Sequence, residues 1–307
     1  MNSPVVPPLL HEGSRVALVA PARWVTEAEV ASAVALLRAW KLEPVVPDGL
    51  FAACHQMAGD DAHRTRLLQQ AVDDPTLDAL WCVRGGYGSV RVVDGLRLDS
   101  LRRRPKWIVG YSDATVLHSH IQAQACVATV HGTMPINVPP DAADGSYPAL
   151  ESLHQLLFEG AVSYRFVSPR FRPGRASAPV VGGNLSVLYS LLGSPSDVDW
   201  TGKILFLEDL DEYLYHIDRM MQALRRAGKL ESLAALVVGA LSDMHDNAVP
   251  FGRTAEEIVW EAVSSYDYPV CFAFPAGHIG MDNCAFPLGQ PVMLRVDERG
   301  QTRLETL

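Results

Sequence analysis

The sequence predicts an α/β protein in two parts, each organised around a mostly parallel sheet. Three observations lead there. Short apolar runs alternate with polar or amphipathic stretches of helical length, which is the pattern of βαβ units. A segment rich in Arg, Pro and Gly, GAVSYRFVSPRFRPGRAS, breaks that alternation near residues 160–178, and a second α/β pattern follows it. The 307 residues are enough for two domains.

The elements follow in order. Residues 15–20 (RVALVA) form a strand that stops at Pro21, and Thr26 is the N-cap of a helix reaching Trp40. A short strand at 43–46, a polar helix at 60–72 and a buried strand at 77–83 come next. The glycine cluster 85–88 leads into a helical stretch at 89–96, then a strand at 107–110, a helix at 113–124 and a strand at 128–131. Residues 161–178 read as an irregular linker between domains at 1–160 and 179–307. Beyond it, helices are expected at 183–192, 216–227 and 254–264, with strands at 203–207, 234–239 and 269–274. The tail closes as a hairpin of 291–296 and 302–304 across Glu298-Arg299-Gly300.

Composition narrows the partners. With 26 Lys+Arg against 35 Asp+Glu the net charge is −9, which argues against a nucleic-acid surface. The chain is 48% hydrophobic and 20% charged, an ordinary globular composition with ample material for a core. Cys54, Cys82, Cys126, Cys271 and Cys284 include no CxxC pair, so neither a disulfide framework nor a cysteine metal site is indicated. Reduced thiols fit a cytosolic protein. The opening MNSPVVPPLLHEG lacks the basic and apolar regions of a signal peptide. Residues 176–196 are uncharged but broken by Gly, Ser, Asn and Pro, so they read as buried loop and helix rather than a membrane span.

Four stretches carry chemistry. In Gly110-Tyr111-Ser112-Asp113-Ala114 a buried strand runs through Gly-x-Ser directly into a helix. That arrangement lifts a serine hydroxyl clear of a sheet, with the Asp113 N–H beside it, although Ala114 replaces the second glycine of the full elbow pattern. The same residues also fit a helix N-cap, the commoner use of such a serine. Arg84-Gly85-Gly86-Tyr87-Gly88 ends a strand, where exposed N–H groups suit a phosphate, an oxyanion or a tight turn. The dinucleotide pattern G-x-G-x-x-G fails because Arg91 stands at its last glycine. Glu208 and Asp209 finish an apolar strand, and a carboxylate buried there requires a partner. His278 follows another apolar strand, at the same kind of edge, and is the natural candidate. His131 ends a strand near the elbow, while His118 and His120, two apart in a helix, make a poor metal pair. Ser112, Glu208 and His278 occur in the order nucleophile, acid, base known from α/β-hydrolases.

RGGYG (84–88), GYSD (110–113), GGNLSVLYSLLGSP (182–195), LFLEDLDEYLYHIDRM (205–220) and GH with PLG (277–278, 287–289) together resemble the L,D-carboxypeptidase family, over about residues 14–290. The family includes murein tetrapeptide carboxypeptidases and microcin C self-immunity hydrolases. The resemblance implies Ser112 as nucleophile, Glu208 as the acid orienting the base, His278 as base, and the N–H groups of Asp113 and Gly86 as oxyanion hole. It implies a Rossmann-like or flavodoxin-like N-terminal domain, a smaller C-terminal α/β domain and a site between them. It also implies a cytoplasmic, metal-free, often homodimeric serine hydrolase that needs no cofactor. Gly193-Ser194-Pro195 and His131-Gly132-Thr133 depart mildly from the family pattern, and residues 279–286 border the expected site.

The leading expectation is removal of a C-terminal D-alanine from a murein tetrapeptide through an acyl-enzyme. Arg84, Gly85, Tyr87 and His131 are the expected substrate contacts. Arg84, or an arginine among Arg165, Arg170, Arg172 and Arg175, is expected to meet the terminal carboxylate. Hydrolysis of an aminoacyl-nucleotide of the microcin C type is the alternative, and a non-catalytic ligand-binding protein on the same scaffold is a third reading.

Overall fold

The structure is a computed structural model and describes residues 4–307; residues 1–3, the start of the stretch read for a leader, lie outside the described residues. Five short strands make the first parallel sheet: β1 (Arg15–Val19), β2 (Glu43–Val45), β3 (Ala79–Cys82), β4 (Trp107–Gly110) and β5 (Thr129–His131). The helices α1 (Glu27–Ala39), α2 (Asp61–Asp73), α3 (Asp99–Arg103) and α4 (Thr115–Ala125) lie between them in the chain. The strand order β5-β4-β3-β1-β2 is the doubly wound, flavodoxin-like one, in which ligands bind beyond the carboxyl ends of the strands. Thr26 caps α1 in a reciprocal capping box with Glu29, as its sequence position requires.

The rest of the chain builds a mixed sheet. Its elements are α5 (Pro148–Glu159), β6 (Ser163–Val167), β7 (Phe171–Arg172), β8 (Gly174–Asn184), α6 (Leu185–Ser190), β9 (Ile204–Leu210), α7 (Leu214–Arg226), β10 (Ala235–Ser242), α8 (Ala255–Val263), β11 (Val270–Cys271), β12 (Phe286–Leu288), β13 (Pro291–Val296) and β14 (Gln301–Thr306). The order β6-β14-β13-β8-β9-β10-β11-β7 is parallel from β8 to β11 and antiparallel on both sides. β12 leaves this sheet and pairs antiparallel with β5, so the C-terminal part of the chain adds a sixth strand to the first sheet. Phe206, Phe274 and Phe286 meet in a fully buried aromatic cluster beneath that crossing.

Four local expectations need correction. Residues 161–178 are not irregular: they form β6, β7 and the first half of β8. Tyr164 and Phe166 pack inward while Ser163, Arg165 and Val167 are exposed, a period of two that the surrounding Arg and Pro residues obscure. Residues 89–96 make two 3-10 turns, Ser89–Arg91 and Val93–Gly95, rather than a helix, as Val90, Val92, Val93 and Gly95 disfavour a longer one. No element is predicted at 148–159, where α5 forms, although Pro148 at its first turn and Gly160 in the left-handed conformation at its end are ordinary start and stop signals. The strand expected at 269–274 is only two residues long.

The contact between β8 and β9 leaves no room for a side chain at Gly182. Its φ is +129°, and a Cβ there would overlap the backbone of Phe206. Gly182→Ala is therefore expected to destabilise the fold by about 3 kcal/mol or more. Urea unfolding checks this, and an unchanged midpoint would contradict the close packing of these two strands.

Candidate active site

β4 ends at Gly110, and the chain turns sharply through Ser112 into a 3-10 turn and α4. Ser112 has φ +60°, a left-handed conformation uncommon for a side-chain-bearing residue. Such local strain persists only where the surroundings enforce it. Two contacts do so here. The His118 ring, one turn and a half into the helical segment, bonds the Gly110 carbonyl through Nε2 at 2.9 Å. Burial holds that imidazole near pKa 4, so it is the neutral ring that donates. The Asp113 carboxylate accepts the Ser89 N–H at 2.9 Å and fastens the elbow to the glycine loop.

That loop, Arg84 to Gly88, lies against the serine. A Cβ on Gly85 would stand 3.2 Å from Ser112 Oγ, so the backbone approaches the hydroxyl closely. Gly86 has φ +100° and is covered by the Arg23 side chain, whose Nε is buried without a partner. Arg64, buried in α2, donates to the carbonyls of Pro21 and Gly88 at 2.5 and 2.9 Å and sets the loop's far end. Arg23 and Arg64 were not singled out from the sequence. Arg64 sits in a helix that reads as polar and solvated, and nothing local marks Arg23.

Glu208 and His278 come from the C-terminal part of the chain, the first on a strand of the second sheet and the second on a loop. Glu208, with no solvent exposure, lies on β9 between β8 and β10. Its Oε2 accepts a 2.7 Å hydrogen bond from His278 Nδ1. Burial pushes the His278 pKa down, but the hydrogen bond and charge of Glu208, with the charge of Asp209, outweigh it and raise the pKa above the usual histidine value. Nδ1 is thereby committed as donor, and Nε2 is left to accept a proton. The loop carrying His278 closes over the carboxylate because residue 277 is glycine: its φ is +120°, and a Cβ would stand 3.0 Å from Glu208 Oε2. Asn283 Oδ1 accepts the Gly277 N–H at 2.8 Å and the His131 Nε2–H at 3.3 Å.

Tyr111 brings the two halves together. Its ring centroid lies 4.8 Å from that of His278, one residue before Ser112. The Ser112 hydroxyl itself has no hydrogen-bond partner among the described residues, so in this structure the His278–Glu208 pair is formed and the Ser112–His278 bond is not. Catalytic hydrogen bonds are often long until a substrate is bound.

Asp209 points the other way from Glu208 and ties β9 to β8 and, through it, to α4. Its carboxylate accepts from Asn184 Nδ2 and from the N–H groups of Ser186 and Leu210. Asn184 N–H in turn donates to Thr115 Oγ1 at the start of α4. Burial, then the charge of Glu208, push the Asp209 pKa up to about 7 against those three donors.

The expected substrate contacts separate. Gly85 lies at the serine, and Tyr87 is exposed at the rim. Arg84 faces Glu29 and the Trp24 carbonyl instead, at 3.8 and 3.5 Å. His131 is completely buried behind Tyr111, so it cannot touch a ligand; burial depresses its pKa to about 4 and keeps it a neutral support for Asn283. None of the arginines at 165–175 reaches this site. Arg170 pairs with Glu257, Arg172 binds the carbonyls of Val263, Ser264 and Tyr268, and Arg165 and Arg175 lie on the outer face of the antiparallel strands. Among the described residues no group of three His, Cys, Asp or Glu side chains could hold a metal ion, and no helix is long and apolar enough to cross a membrane.

Residues 16–132 match the LD-carboxypeptidase N-terminal domain, and residues 177–294 match the LD-carboxypeptidase C-terminal domain. A probable murein peptide carboxypeptidase of Bacillus subtilis is 32% identical over 301 residues, covering 95% of this chain and 92% of that protein. The crystal structure of muramoyltetrapeptide carboxypeptidase from Oxalobacter formigenes superposes with a TM-score of 0.85 at 25% identity, covering 95% of this chain and 98% of the other. The microcin C7 self-immunity protein MccF shares the fold, with a TM-score of 0.84 at 20% identity over 99% of each chain.

The raised pKa of His278 rests on one buried carboxylate. Glu208→Gln removes the charge and leaves burial, so the imidazole titration is expected to move to lower pH than in the parent protein. Following the ring proton by NMR across the titration tests this, and a midpoint that stays or rises would refute the assignment of Glu208 as the cause.

Proposed function

The chain belongs to the LD-carboxypeptidase family, and from that premise we propose that it is a serine peptidase that removes a C-terminal D-amino acid from an L-centre of a murein tetrapeptide in the cytoplasm. The observation that carries the reading is the buried Glu208–His278 pair, whose imidazole packs on Tyr111, the residue before a serine held at positive φ.

His278 Nε2 takes the proton of Ser112 Oγ as that oxygen attacks the carbonyl carbon, while Glu208 fixes the tautomer and stabilises the imidazolium. The tetrahedral oxyanion accepts hydrogen bonds from the N–H groups of Asp113 and Gly86, and each such donor is worth about 2.7–4 kcal/mol of barrier. The imidazolium then protonates the leaving nitrogen, the C–N bond breaks and the D-amino acid departs. Water, deprotonated by the same ring, cleaves the acyl ester and restores Ser112. Arg23, with its Nε unpartnered against Gly86, is the guanidinium suited to the terminal carboxylate. Arg84, already turned to Glu29, is not.

Ser112→Ala should lower kcat on a murein tetrapeptide by about 10⁴-fold or more while leaving the fold intact. The parent protein is given the tetrapeptide and an aminoacyl sulfamoyl adenylate in parallel. Turnover of the second substrate alone would replace this reading with the aminoacyl-nucleotide hydrolase, and activity retained by Ser112→Ala would remove the serine mechanism.

A further inference from the structure

The arginines gathered at 165–175 do not serve the catalytic site, and two of them take part in a different arrangement. In the antiparallel part of the second sheet, Arg165 on β6 stands directly opposite Arg303 on β14. Arg303 stands opposite Arg295 on β13, and Arg295 opposite Arg175 on β8. One row of the sheet is therefore arginine on four successive strands, with all four side chains exposed on one face. The other face of these strands is core, where Tyr164, Phe166, Ala176, Leu294 and Leu304 pack.

Like charges directly opposite each other in an antiparallel pair destabilise it. The usual relief is a carboxylate, and little is supplied. Glu305 pairs with Arg303 at 2.5 Å, and no ion pair reaches Arg165, Arg175 or Arg295 among the described residues. Asp297, at the end of β13, is committed to the N–H groups of its own turn, Arg299 and Gln301. All this occurs on a chain whose net charge is −9. The arginines border a groove of about 420 Å³, which Asp297 and Gln301 also line.

We propose that this arginine row is a binding site for a linear oligophosphate, separate from the catalytic site. Strand spacing sets the backbones of the four arginines about 4.8 Å apart, so the row spans about 14 Å at its base. A single carboxylate would neutralise one end of it. A chain of three or four phosphates carries charge on every unit within reach of all four long arginine side chains, and each phosphate offers oxygens to the planar, forked donors of arginine. The groove has the size of a small-molecule site rather than of a macromolecular interface. It is also remote from the chemistry. Arg175 begins β8 and Asn184, which pairs with Glu208, ends it, so nine residues of extended strand, about 30 Å, lie between the two places.

Calorimetric titration of the full chain with sodium tripolyphosphate tests the site. One-to-one binding is expected, weakening as ionic strength is raised and weakened by about tenfold or more in R295Q/R303Q and in R165Q/R175Q. Ser112→Ala should bind with unchanged affinity, and both double variants should hydrolyse the family substrate as the parent does. Because these side chains are exposed, the double variants should melt no lower than the parent, and tripolyphosphate should raise the Tm of the parent and of Ser112→Ala but not that of the double variants. Absence of saturable binding at millimolar ligand would overturn the proposal. So would equal affinity in the double variants, loss of binding in Ser112→Ala, or tighter capture of anionic phospholipid vesicles or a single-stranded oligonucleotide than of tripolyphosphate.

Discussion

A carboxylate with no access to water is tolerable only when something compensates its charge. At Glu208 the compensation is the His278 hydrogen bond, and much of the architecture serves that contact. β9 is flanked by β8 and β10, which keeps water from the carboxylate. Gly277 allows the histidine loop to close down on it. Asn283 fixes the loop through the Gly277 N–H, and His131, from the other sheet, fixes Asn283. His278 is thus located by residues of both halves of the molecule.

Two further connections hold the halves in register. Asp209, Asn184 and Thr115 form a hydrogen-bonded chain from the strand that bears the acid to the helix that follows the serine. β12 then inserts the C-terminal part of the chain as a strand beside β5, so the sheets are joined through the backbone as well as through side chains. The serine elbow and the acid–base pair are consequently positioned by the same interface. Neither half carries a complete set of the proposed catalytic groups.

The candidate site residues were more legible in the sequence than the organisation of the strands was. Ser112 is marked by an apolar strand that runs through Gly-x-Ser into a helix, Glu208 by a carboxylate on an apolar strand, and His278 by a histidine at a comparable edge. Each signal is local and follows from the expense of placing a polar group beside a core. The segment at 161–178 was misjudged because its inward positions, Tyr164 and Phe166, are outnumbered by exposed arginines and prolines. The same composition suggested one basic cluster. The strands divide it, sending Arg172 to backbone carbonyls, Arg170 to Glu257, and Arg165 and Arg175 to the outer face.

Taken alone, the flavodoxin-like first domain being implied only by the family resemblance, the sequence determined the α/β class, most of the elements and the three residues proposed for catalysis. Those features depend on periodicity, turn chemistry and motifs that span a few residues. Tertiary structure decided which distant groups meet: His278 with Glu208 70 positions away, His131 with Asn283 152 positions away, and Arg64 with a glycine loop 24 positions on. It also decided that His131 is a buried support and that Arg84 turns aside. The four arginines drawn from four strands meet for the same reason. Strand register is set by the fit of whole sheets and their cores, and no local stretch of sequence carries that information.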